Sequence, residues 1–192
     1  MSKRIIINEK QYRLLVNEIN LYHGSKANFD HFDLAYAMTG WGEMAYGRGV
    51  YLSDYRDAAL EYSNNGYLYT VKVPKGKYLG EGPIRRNEAY DIACKFRDYY
   101  LNTEYGKSAY SGYEREWWDT EGKCVAESYT GFDVYGTICS ILGSEEDAGK
   151  WLRSIGYVGL RQNCVNRNTG FKFHNYVIFD ENDVQILSKE RQ

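Results

Sequence analysis

Proline is almost missing from this chain: Pro74 and Pro83 are the only two among 192 residues. With so few breaks there is no Pro-rich linker, and no segment repeats, so the chain reads as one domain over 1–192. Cysteine is sparse and scattered. Cys94, Cys124, Cys139 and Cys164 form no Cys-x-x-Cys pair, and only His23, His31 and His174 are at hand, which excludes the usual zinc frames and makes free thiols in a reducing cytosol the expectation. No apolar run approaches membrane-span length. The N-terminal "KRIIINEKQYRLLV" is flanked by charge and too short for a signal peptide, so a cytoplasmic protein without a leader is expected. Charge of one sign is also lacking. The net charge of −2 argues against a general nucleic-acid or membrane coat but leaves room for a local basic patch.

Tyrosine is abundant, with 20 residues, and suits both core edges and binding surfaces. The order of elements points to an α+β domain. "INLYHG" (19–24) reads as a strand, "DYRDAALEY" (54–62) as a helix capped by Ser53 or Asp54, and "YLYTVKV" (67–73) as a strand ended by "PKG". Ala89, Ile92, Ala93, Phe96 and Tyr100 recur at helical spacing. Residues 145–155 carry the clearest helix, with Ser144 as cap and Gly156 as stop. "YVGL", "NYVIF" and "VQIL" read as strands, with "DEND" as the turn between the last two. Residues 84–144 hold much of the tyrosine and read as helical cover for the core or as an inserted surface.

Two stretches place chemistry-bearing residues at element ends. In "LYHGS" (21–25), His23 closes a strand, and Gly24 allows a planar amide to lie against bare backbone donors and acceptors. Alone, the tripeptide fits a satisfied buried histidine beside a turn better, since such tripeptides are common. In "GRGVYLSDYRDAALEY", Tyr51 ends a strand and Tyr62 sits in the last turn of the next helix, a spacing that can bring both rings to one pocket. Alone, both fit the core.

Taken in order, "LYHGS", "GRGVYLS" with Tyr62 eleven residues on, "YLYTVKV", "WLRSIGYVGL" and "NYVIFDENDV" resemble the ADP-ribosyltransferase superfamily, in the branch of poly- and mono(ADP-ribose) polymerases with bacterial and phage members. The resemblance covers most of the chain outside 84–144. It implies split, mostly antiparallel sheets forming a cleft for NAD, with 84–144 as a helical insertion. It also implies that His23 bonds the adenosine ribose, that the Gly24 backbone clamps the nicotinamide carboxamide with help from Ser25, and that Tyr51 lines the nicotinamide ribose. Tyr62 would stack on nicotinamide. The loop 39–49, ending at Gly49, would cover the dinucleotide, with Arg48 near its phosphates.

The same resemblance expects a carboxylate immediately before "YVIFD", where this chain has Asn175. Asparagine can orient a ribose hydroxyl but brings no charge to offset an oxocarbenium-like ribose. Loss of one such stabiliser costs about 2.7–4 kcal/mol. Asp180 and Glu181 stand one strand length away, about 17 Å. His23, Tyr51 and Asn175 are therefore the expected catalytic set, with NAD as substrate and no metal. The expected activity is mono-ADP-ribosyl transfer to a protein or nucleic acid. Two alternatives stay open: a silent NAD or ADP-ribose binder, and an interaction protein that acts through 84–144. The stretch before Asn175 carries Arg161, Arg167 and Lys172 and no acid, which suits an acidic or phosphate-bearing acceptor or an ordinary solvated loop. A phage effector or a toxin is the implied context, with an antitoxin or inhibitor as a further partner and no membrane.

Overall fold

The computed structural model describes residues 18–36, 46–110 and 114–192, with Glu114 described by its backbone alone. The N-terminal stretch "KRIIINEKQYRLLV" and residues 39–45 of the expected covering loop lie outside the described residues.

Seven strands are present among these residues: β1 (Glu18–Ser25), β2 (Val50–Ser53), β3 (Tyr67–Pro74), β4 (Lys77–Gly80), β5 (Tyr157–Val165), β6 (Lys172–Ile178) and β7 (Gln185–Arg191). They form one sheet in the order β4-β5-β6-β2-β1-β3-β7. Strands lie early and late with helices between, so the fold is α+β. The expected pair of antiparallel sheets is corrected in two respects. The sheet is continuous, and it is mixed, because β4 lies parallel to β5. The four residues "KYLG" pair with a strand some 80 positions later, a contact that local pattern does not reveal. The halves β4-β5-β6-β2 and β1-β3-β7 meet at a single register pair, Tyr22 opposite Ser53.

Helices α1 (Arg56–Ser63), α2 (Arg86–Tyr100), α3 (Glu104–Tyr110), α4 (Glu114–Trp117), α5 (Lys123–Ala126), α6 (Gly131–Leu142) and α7 (Glu145–Ser154) complete the chain. A π-helical turn, Trp118–Gly122, joins α4 to α5. The α7 helix begins where Ser144 Oγ accepts the Asp147 N–H at 3.1 Å and ends before Gly156, whose φ of 95° favours glycine. The α6 helix has a reciprocal capping box between Thr130 and Asp133. The cap expected for α1 is corrected. Tyr55 occupies the N-cap position without a side-chain bond. Ser53 Oγ accepts only the Tyr55 N–H, and the Asp54 carboxylate accepts both the backbone N–H and the ring N–H of His174.

Strand alternation sorts the two faces of the sheet. On one, the helix face, Leu79, Leu160 and Val177 pack against Ala89, Phe96, Trp117, Val134, Ile138 and Leu152. On the other, the loop face, Leu21, Leu52, Val71, Val73 and Ile178 are closed by Phe29, Phe32, Leu34 and Val184. Residues 84–144 thus supply much of the larger core, with Phe96, Trp117, Val125, Val134 and Ile138 fully buried. Burying one such side chain is worth about 1.5–3 kcal/mol.

Candidate functional site

The seam between β1 and β2 holds most of the sequence-derived candidates but divides them between two faces: the His23 ring lies on the loop face among Phe29, Phe32 and Tyr69, whereas the Tyr51 side chain and Asn175 lie on the helix face. Continued from the pair Tyr22–Ser53, the antiparallel register would set Gly24 opposite Tyr51. That pair does not form. Among the described residues, Gly24 and Ser25 pair only with Leu68 and Tyr67 of β3 on their other side. The Tyr51 carbonyl is met instead by His23 Nδ1 at 2.8 Å. A ring has taken the place of a ladder bond, and the strands diverge where the glycine lies.

Burial lowers the His23 pKa, and the bond to the Tyr51 carbonyl opposes this less strongly. The ring is therefore neutral at pH 7. A carbonyl only accepts, so Nδ1 carries the proton and Nε2 offers a lone pair. Aromatic rings fix the imidazole: Phe32 meets it edge-on at 5.0 Å, and Phe29 and Tyr69 lie at 6.0 Å.

Gly24 has a second reason to be glycine. A Cβ there would collide with the Ala59 carbonyl and approach the Ser63 nitrogen, so α1 rests directly on the β1 backbone. Gly49 is buried against Val177 and Ile178 of β6. Tyr51 sits with its ring against the larger core. Its hydroxyl accepts the Tyr46 N–H at 3.1 Å and donates to the Gly47 carbonyl at 2.8 Å. Burial raises its pKa, so the phenol stays protonated. Tyr51 therefore reaches His23 through its backbone, while its side chain ties down the end of the 39–49 loop.

Tyr62 is 60% exposed on α1. Seven residues earlier, close to two turns, Tyr55 touches Phe171 and Phe173 at ring separations of 4.8 and 5.3 Å.

Asn175 stands in register between Ser53 of β2 and Gln162 of β5. Its side chain is half-buried and has no hydrogen-bond partner among the described residues. The helix layer ends at this row. Leu160 and Val177 are 1% and 3% exposed, whereas Gln162 and Asn175, two residues further along the same face, are only half-buried. Gln162, Asn175, Ser53 and Tyr22 follow one another across the strands in this row, with Ser53 buried at 4% exposure and the other three half-buried.

Two candidates lie elsewhere. Arg48 pairs with Glu146 at 3.6 Å and lines a separate cavity of about 440 Å³ together with Leu34, Lys150, Arg153 and Asp180. Asp180 is engaged there by Arg153 at 3.4 Å, so it does not stand in for the missing acid beside Asn175. Sequence reasoning missed Gln162, whose register beside Asn175 is set by the β5–β6 hairpin. The alternation of Leu160 and Gln162 was the available signal.

No protein-family model matches the chain, and no curated protein matches its sequence. Among solved structures, one described as "Crystal structure of an anti-CRISPR protein" is similar with a TM-score of 0.39 and 12% identity, over 91% of this chain and 96% of that one. A likeness of that size assigns neither fold family nor activity. No described helix is long and apolar enough to cross a membrane.

Proposed function

We propose that this protein is a mono-ADP-ribosyltransferase, which transfers ADP-ribose from NAD to a macromolecular acceptor, protein or nucleic acid, and releases nicotinamide. The observation that carries the reading is the divergence of β1 from β2 at Gly24, with His23 bridging to the Tyr51 carbonyl. A strand edge without a strand partner among the described residues supplies N–H and C=O groups that suit a planar carboxamide. Tyr62, exposed on α1, offers a ring for stacking. His23 Nε2 is an acceptor for a ribose hydroxyl of the adenosine half.

In the reaction the C1–N glycosidic bond breaks, and nicotinamide leaves with the bonding electron pair. The ribose C1 becomes oxocarbenium-like, and a nucleophile on the acceptor attacks it and gives up its proton. Asn175 Oδ1 accepts from the ribose 2′-hydroxyl and orients the sugar without adding charge. Catalysis then leans on positioning and on exclusion of water. A site of this kind transfers single units, and an antitoxin or inhibitor that covers the seam is a suitable control.

A second reading is a module that binds NAD or ADP-ribose without transfer. Asn175 favours it, because no carboxylate stands there to stabilise the developing charge. Incubation with NAD labelled in its adenylate half and a whole-cell lysate separates the two, with label scored in protein and in nucleic acid. Transfer predicts label that survives denaturation, together with free nicotinamide. NAD binding with no label in either fraction supports the binder, and no binding at all sinks both.

A further inference from the structure

Gln162 and Asn175 face each other across the β5–β6 pair, on the helix face and in the row where the helix layer stops. Side chains so paired have Cβ atoms about 5 Å apart. Both are half-buried amides. Gln162 Oε1 accepts the thiol of Cys164 at 3.6 Å, which fixes the sense of the amide and turns Nε2 away as a donor. Neither Gln162 Nε2 nor the Asn175 amide has a partner among the described residues.

We propose that Gln162 is a second ribose-binding residue, whose Nε2–H donates to the hydroxyl oxygen whose proton Asn175 Oδ1 accepts. The inference rests on the NAD-binding reading above and extends it. A hydroxyl donates one hydrogen bond and accepts up to two. A carboxylate at position 175 would satisfy only the donating side. Two amides side by side satisfy both sides and set the direction of the hydroxyl proton. The pair thus replaces by orientation some of what a single carboxylate supplies by charge. The chemical class recognised is a sugar hydroxyl next to the reacting carbon, and the specificity is for a ribose over a 2′-deoxyribose on the nicotinamide side.

The test compares wild type with Gln162→Met, an apolar near-isostere, using NAD and an NAD analogue that lacks the 2′-hydroxyl of the nicotinamide ribose. Nicotinamide release and equilibrium binding are both read, and circular dichroism checks the fold. With NAD, the variant should lose about tenfold in kcat/KM or in affinity, as one hydrogen bond to substrate implies. With the analogue, wild type and variant should be equal. An equal loss on both substrates overturns the inference in favour of a packing role, and so does full activity of Gln162→Met on NAD. If the variant does not fold, Gln162→Leu is compared in the same way. Wild-type protein that neither binds nor consumes NAD overturns the underlying reading, and the inference with it.

Discussion

The helical stretch 84–144 and the β1–β2 seam are both tyrosine-rich, and they use the residue in opposite ways. In the helical layer Tyr100 and Tyr135 are buried rings in a core shared with Phe96 and Trp117. Burial drives the Tyr100 pKa up to about 12. At the seam, Tyr51 is half-buried with its hydroxyl holding a loop end, and Tyr62 stands clear of the protein on α1. In the first region these buried rings help hold the fold, while Tyr90, Tyr99, Tyr105 and Tyr129 are exposed on its surface. The second keeps polar groups and a ring in reserve at the place where the sheet is least paired. Abundance of a residue type therefore does not by itself separate the two regions, whereas incomplete strand pairing does.

The contrast is broken most strongly on the helical side. Trp117→Ala removes the largest fully buried side chain among the described residues and should lower the free energy of unfolding by about 3–5 kcal/mol, read from urea denaturation. NAD affinity per folded molecule should not change. Gly24→Ala comes next, because α1 has to move off the β1 backbone. A loss of about 1–3 kcal/mol in stability is expected, together with loss of NAD binding by titration calorimetry. Normal binding in that variant would detach the seam from the site. Tyr51→Phe keeps the ring and removes the hydroxyl bonded to Tyr46 and Gly47. It should cost about 1 kcal/mol and raise the KM for NAD, because the loop end is released.

Tyr62→Ala and Tyr90→Ala form the sharpest pair, since both rings are more than half exposed. Each should leave stability within about 0.5 kcal/mol of wild type. Only Tyr62→Ala should weaken NAD binding, by about three- to tenfold, the worth of one aromatic stack. The smallest effect is that of pH. The folded His23 resists protonation more than the unfolded residue does, so unfolding takes up a proton in the range below 6.5 and above the lowered folded value. This contribution is present above pH 6.5 and is lost as pH falls through that range. Urea midpoints at about pH 7.5 and 5.5 should therefore fall more in wild type than in His23→Gln.

Much of this was legible in the sequence where the pattern is local. The alternation of Tyr69, Val71 and Val73, and the Ser144 cap with the Gly156 stop, marked β3 and α7 because the signals lie inside the elements. The readings fell short where a distant partner decides. The β5 strand runs on to Val165 through "RQNCV", and β6 starts at Lys172, because the two strands pair with each other over polar residues. Asp54 looked like a helix cap and instead holds His174, 120 residues away. His23, Gly24 and Asn175 were picked out from the sequence, and the structure sets His23 and Gly24 on β1 and Asn175 on β6 opposite Ser53. The use of the His23 ring to hold β1 and β2 apart was not legible, since it depends on where a single register pair ends. Gln162 was hidden for the same reason.

The seam can be tested directly by hydrogen–deuterium exchange over the segment containing His23, Gly24 and Ser25, measured with and without saturating NAD. If the unpartnered edge of β1 clamps the carboxamide, exchange there should slow on NAD addition, more than in β3 or in the helical layer. NAD that binds while leaving this segment unchanged, or that does not bind, would contradict the account.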